Sequence, residues 1–138
     1  MKNTACLLIS ALLSFSVSAQ TVPTLSKHWK GTSTHTYLNS KSKNKFEKVT
    51  VPYTLEVLKQ EGRHVLLFFK SSIYEAEVAG TFSADGKQLS LVYLNGEGLY
   101  EVNGKSMNGC GTSRKLEKSL RDGDIQSAWC DEFTVVNK

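Results

Sequence analysis

Hydrophobic and polar residues alternate with period two along most of this chain. From Phe46 to Leu58, Val49, Val51, Tyr53, Leu55 and Val57 fall on one face, and Thr50, Pro52, Thr54 and Glu56 on the other. That period over that length predicts a half-buried β-strand. Pro52 lacks a ladder donor and so predicts an edge or a bulge within it. His64 to Lys70 is a short, almost wholly apolar run. Ile73 to Phe82 alternates again, with Tyr74, Ala76, Val78, Gly80 and Phe82 on one face and Glu75 and Glu77 on the other. Strand-like runs follow at Gln88–Leu94, Leu99–Val102 and Ile125–Val136, the last with Ile125, Trp129, Phe133 and Val135 sharing a face. Near the start, Trp29 to Leu38 is rich in Thr and has a polar alternate face.

Turn signals separate these runs. Glu61-Gly62, Asp85-Gly86, Asn95-Gly96, Asn103-Gly104 and Asp122-Gly123 each stand between strand-like segments, and Gly and Asn tolerate the positive φ that tight hairpins need. Short connections force successive strands to be antiparallel neighbours. One segment, Thr112 to Arg121, has the marks of a short helix or an ordered loop, with Thr112 or Ser113 as its cap and Leu116 and Leu120 on one face. The expected architecture is all-β. Seven to eight antiparallel strands form a meander that hides its edges by closing as a small barrel, with a two-sheet sandwich as the alternative.

The N-terminus changes the picture. Lys2, an apolar run from Ala5 to Val17, and Val17-Ser18-Ala19 before Gln20 form a signal peptide over residues 1–19, cleaved between Ala19 and Gln20. Residues 20–138 are then a single exported domain, placed in the periplasm or secreted. Two cysteines survive cleavage, Cys110 and Cys130, and in an oxidising compartment a lone pair predicts a structural disulfide. No close-spaced C-x-x-C motif suggests a redox role. The formal charge of +4 is a mild excess. It slightly favours acidic partners and falls short of a nucleic-acid footprint. No second apolar stretch suggests membrane insertion after cleavage.

Candidate chemistry is sparse. His28, His35 and His64 have no zinc-ligand spacing, and no metal or other cofactor is expected. Paired carboxylates are the usual tool of sugar hydrolysis. Glu75/Glu77 and Glu97/Glu101 are the pairs present, although carboxylates at i, i+2 on an outward face read as solvated surface. No nucleophile elbow, phosphate loop or dinucleotide fingerprint occurs, so no catalytic residue is assigned. Two basic groups stand out, Lys41, Lys43, Lys45 and Lys48 around Phe46, and Arg114, Lys115, Lys118 and Arg121 inside the cysteine loop. Either group suits docking on an acidic protein surface. The segment Leu94 to Val102 (LNGEGLYEV) reads as a hairpin tip that presents Asn95, Glu97, Leu99 and Tyr100, an aromatic anchor beside a charge. Lys41, Lys43, Lys45, Phe46, Asn95, Glu97, Leu99 and Tyr100 are therefore the candidate partner-binding residues.

With its Val17-Ser18-Ala19 signal end, Cys110/Cys130 pair and Gly-punctuated strands, the chain resembles in general plan the bacterial periplasmic inhibitors of peptidoglycan-cleaving enzymes. These include lysozyme inhibitors and type VI secretion immunity proteins. Ser71-Ser72-Ile73-Tyr74 loosely echoes the inhibitory loop of one such family. The resemblance implies a non-enzymatic binder that occludes a cell-wall hydrolase or toxin, with Lys41–Lys45 supplying cations to an acidic cleft and Asn95–Tyr100 an inserted wedge. Trp29-Lys30-Gly31 also resembles the Trp that plugs lipocalin- and avidin-type barrels, though here Gly follows Trp. The alternative it implies is a calycin-like carrier of a small apolar ligand. An exposed edge at the Pro52 strand or the first Thr-rich strand leaves room for a homodimer.

Overall fold

The computed structural model describes residues 21–39, 45–72, 74–113 and 127–136. They form eight antiparallel strands that close into a barrel in strict chain order. The strands are β1 (His28–Asn39), β2 (Lys45–Glu61), β3 (His64–Lys70), β4 (Glu75–Phe82), β5 (Gln88–Tyr93), β6 (Gly96–Asn103), β7 (Ser106–Ser113) and β8 (Ser127–Val135). The all-β meander barrel is as expected, and the sandwich alternative falls away. The predicted signal peptide and its cleavage site, Lys41, Lys43, Ile73, the Asp122-Gly123 turn and residues 114–121 of the possible helix lie outside the described residues.

The ladder between β1 and β8, from Trp29↔Val135 to Tyr37↔Ser127, closes the ring. Inward and outward faces are then set for every strand by parity, because successive side chains point to opposite sides. Gly31 makes the closure possible. A Cβ there would stand 1.8 Å from the Glu132 carbonyl oxygen, so only a glycine lets β1 come this near to β8.

One end of the barrel is sealed. Residues 21–27 cross it, held by a Leu25 N–H bond to Gln60 Oε1 at 2.9 Å and by Gln60 Nε2 donating to the Pro23 carbonyl at 2.9 Å. Trp29 is 1 % exposed here and its indole N–H donates to the Ser26 carbonyl at 2.7 Å. It fills the closed end together with Leu55, Leu67, Phe82, Leu89, Met107 and Phe133. The two-residue turns Gly62-Arg63 and Gly104-Lys105 lie at the same end, and their glycines take φ of 55° and 58°, the left-handed conformation that tight hairpins require.

Three details differ from the sequence reading. The strand after the Asn103-Gly104 turn runs over Ser106–Ser113, where the apolar pattern marked none, and it includes Thr112 and Ser113, which pair with Ala128 and Ser127. The turn between β5 and β6 is Leu94-Asn95, with Gly96 already inside the ladder opposite Tyr93. β1 is no edge, since it pairs on both sides. Pro52 is on a local edge, as its missing donor predicts, because β3 joins β2 only from Thr54 onward and leaves Pro52 a partner on the β1 side alone. A register irregularity in β2 falls between Val57 and Lys59.

Cys110 and Cys130 are bonded and sit directly opposite one another on β7 and β8, with Cα atoms 4.0 Å apart. Both are on the outer face. Closing a loop 20 residues apart in sequence stabilises the fold by about 3 kcal/mol in the chain-entropy model.

Replacing both cysteines by serine should lower the urea-unfolding free energy by about 3 kcal/mol while the far-UV spectrum stays that of a barrel. Gly31→Ala should cost at least about 3 kcal/mol by thermal melting, because backbone at the ring closure must move. Gly62→Ala, with open space around its Cβ, should cost only about 1 kcal/mol from its left-handed φ. Equal effects of the two substitutions would contradict the closure argument.

Candidate functional site

The other end of the barrel is where inward positions stop being aliphatic. On β1 they are Ser33 and His35, on β2 Tyr53, on β3 Phe69, on β5 Tyr93, on β6 Tyr100, and on β8 Trp129 and Asp131. All of these except Tyr100 border a cavity of about 170 Å³. Tyr74 before β4, Asn95 in the β5–β6 turn and Ser113 at the end of β7 form its rim. The strand ends Asn39, Lys45, Ser113 and Ser127 lie at this same end.

Room for these large side chains comes from β7 and β6. The inward positions Gly109 and Gly111 have no side chain, and a Cβ at either would lie 2.4 Å from a ring atom of Tyr100 or Trp129 respectively. Tyr100 and Trp129 therefore lie flat against bare backbone. Trp129 meets Tyr93 edge-on with ring centroids 5.2 Å apart, and His35 stacks on Tyr53 at 6.0 Å. Phe69 bridges site and core, touching Tyr93 on one side and Phe133 on the other.

A polar chain runs through the aromatics. Tyr100 donates its hydroxyl proton to Asp131 Oδ2 at 2.5 Å. It accepts from the Tyr93 hydroxyl at 2.9 Å and from the Trp129 indole N–H at 3.3 Å. That saturates a hydroxyl, which has one donor and two acceptor positions. Across the closing ladder, Ser33 pairs with Asp131, and Ser33 Oγ and His35 Nε2 lie 3.0 Å apart. Asp131 is 4 % exposed and is the only buried carboxylate among the described residues. Its Oδ1 has no partner in hydrogen-bonding geometry.

The electrostatics follow from burial. Desolvation raises the Asp131 pKa above its usual range, opposed by the hydroxyls of Ser33 and Tyr100 and by the charge of His35. Burial likewise lowers the His35 pKa, opposed by Asp131. The Tyr93 and Tyr100 phenols are pushed up, mainly by burial, and stay neutral donors. Ser33 and His35 have the contact of a nucleophile and its base, but Ser33 is almost completely covered and serves as a link in the network. An accepting carboxylate, several hydroxyls and the five rings of Tyr53, Phe69, Tyr74, Tyr93 and Trp129 suit the arrangement to holding a small polar or cationic group.

Sequence reasoning did not find this site. A signal was present: Asp131 shares the parity of Trp129 and Phe133 on β8 and is the one charge on that apolar face. Of the residues singled out from sequence, Asn95 is on the cavity rim. Tyr100 is not at a hairpin tip but inside the barrel at 0 % exposure, so it is a strut of the site and not an anchor presented to a partner. Glu97 points outward, as do Glu75, Glu77 and Glu101, and Glu75 pairs with Lys70 at 3.4 Å. The Glu75/Glu77 and Glu97/Glu101 pairs thus do not meet in a cavity. Lys45 and Phe46 open β2 opposite Asn39 and Leu38. His64 bonds Thr81 at 3.2 Å on the exposed surface.

The outer wall beside the mouth carries three exposed apolar side chains. Leu94 at the β5–β6 turn is 89 % exposed, Val92 64 % and Leu99 52 %. Leu99 is directly opposite Cys110, and Cys110 opposite Cys130. Val92 and Leu99 are diagonal neighbours on β5 and β6. An outward row therefore runs from the hairpin onto the disulfide. No known family model, curated protein or solved structure matches the chain.

The raised Asp131 pKa fixes the sign of one pH effect. The native state holds the carboxyl proton more tightly than the unfolded chain. Its contribution to stability is therefore full below the ordinary carboxylate range and lost as pH rises through the native value. His35 acts oppositely, contributing above its ordinary value of 6.5 and less below it. Asp131→Asn should melt near wild type at pH 4 and gain on wild type as pH rises toward 7. A gap that is constant or shrinks with pH would contradict the burial of this charge.

Proposed function

We propose that this protein is an exported, non-enzymatic binding protein of the periplasm that occludes a cell-wall hydrolase or toxin by protein–protein contact. The observation that carries the reading is the exposed apolar row Val92, Leu94 and Leu99, backed by the Cys110–Cys130 bridge and standing beside the open barrel end. Large apolar side chains grouped on an otherwise polar rim are characteristic of interaction surfaces. Cross-strand pairing and a covalent staple keep that surface rigid, which reduces the ordering cost of association. The disulfide is compatible with an oxidising compartment. The Lys41–Lys45 segment would add cations toward an acidic cleft.

The carrier reading has less support. A cavity of about 170 Å³ is below the roughly 300–1,000 Å³ of sites that enclose drug-sized ligands. Its lining of hydroxyls and a carboxylate does not suit an apolar guest.

The purified protein should inhibit at least one member of a panel of peptidoglycan hydrolases (lysozyme, a lytic transglycosylase and an amidase) in a turbidity assay. Leu94→Asp and Leu99→Asp should each weaken that inhibition at least tenfold without changing the melting temperature appreciably. Failure to bind or inhibit any of them would overturn the reading. So would full inhibition by both variants.

A further inference from the structure

The cavity at the open end has a feature that packing alone does not demand. Asp131 is 4 % exposed, and its Oδ2 receives the Tyr100 hydroxyl, while Oδ1 has no partner in hydrogen-bonding geometry although the Ser33 hydroxyl and the His35 ring stand near the carboxylate. Leaving a buried carboxylate oxygen unsatisfied is costly. Asp131 borders the cavity, and so do Tyr53, Phe69, Tyr93 and Trp129. A single acceptor oxygen ringed by aromatic side chains is the arrangement that recognises organic cations, through charge, one hydrogen bond and the negative faces of the rings.

We propose that this cavity is a binding site for a primary ammonium group on a short aliphatic stem, with the Asp131 carboxylate as its anchor. Three observations select that chemistry. One free oxygen serves a compact ammonium, whereas a guanidinium needs both carboxylate oxygens for its fork, and Oδ2 is already taken. The volume of about 170 Å³ holds a group near the size of a small aromatic molecule and little more. A metal ion is disfavoured, because among the described residues no three His, Cys, Asp or Glu side chains gather. The Tyr93 phenol oxygen, whose proton goes to Tyr100, is an acceptor on the same cavity wall for a further ammonium hydrogen. An entering cation favours the ionised carboxylate, as do the Ser33 and Tyr100 hydroxyls already beside it. The same chemistry could arrive as a free amine or as a lysine side chain of a docked protein. The site does not depend on the partner being a cell-wall hydrolase.

Titrating the disulfide-intact protein with n-butylammonium, n-butanol and n-butylguanidinium, read by calorimetry and tryptophan emission, tests this. Trp129 lies on the cavity wall while Trp29 is sealed at the far end, so emission changes report the site. n-Butylammonium should bind saturably and at least tenfold more tightly than the other two. Asp131→Asn should weaken it at least tenfold and leave n-butanol unaffected. Absence of saturable ammonium binding to the wild type, or equal affinity for n-butanol, would overturn the proposal whether or not the variant folds. A Gly-Lys-Gly peptide distinguishes the sources: tighter binding than n-butylammonium points to a partner's lysine, and weaker binding to a free amine.

Discussion

The ladder between β1 and β8 is the constraint on which everything else rests. Until those strands pair, the chain is a meander with two open edges and no defined interior. Once Trp29 meets Val135 and Tyr37 meets Ser127, parity assigns every side chain to the inside or the outside. Ser33 is brought opposite Asp131, and His35 opposite Trp129, although each pair is separated by most of the sequence. The closure depends on Gly31, where no side chain fits. The disulfide reinforces the neighbouring seam from outside and takes no part in the interior.

The interior is divided along the barrel axis. At one end Trp29 and the aliphatic core exclude water, and the N-terminal segment lies across as a lid pinned by Gln60. At the other, inward positions carry hydroxyls, rings and a carboxylate around a small cavity. The aliphatic half supplies stability. The polar half gives up some of it, since Asp131 sits without a partner for one oxygen, and an interior built for stability alone would place an apolar residue there. That asymmetry is the physical reason to place function at the open end.

Much of the fold was legible in the chain, and its limits have specific causes. Alternation marked β2 because Val51, Tyr53 and Leu55 are large and apolar on one face. It did not mark β7, whose inward residues after Met107 are Gly109, Gly111 and Ser113. Those positions are small because Tyr100 and Trp129 from neighbouring strands occupy the space, a complementarity visible only once the strands are adjacent. The same holds for Tyr100. A local reading beside two glycines suggested a surface tip, whereas Gly98 and Gly109 clear a place for its ring inside the barrel. The site itself escaped because its polar members come from β1, β2, β5, β6 and β8 and share no motif. Only the charge of Asp131 on an apolar face hinted at it.

A carboxylate buried at the open end of the barrel, bonded through one oxygen only, is the centre of this account. Following the Asp131 side-chain carboxyl carbon by ¹³C NMR across the acid range measures its ionisation directly. The account predicts a midpoint above the ordinary carboxylate value near 4, moving downward when n-butylammonium is added. A midpoint at or below that value in the free protein would mean that the carboxylate is solvated or fully partnered, and would contradict the site described.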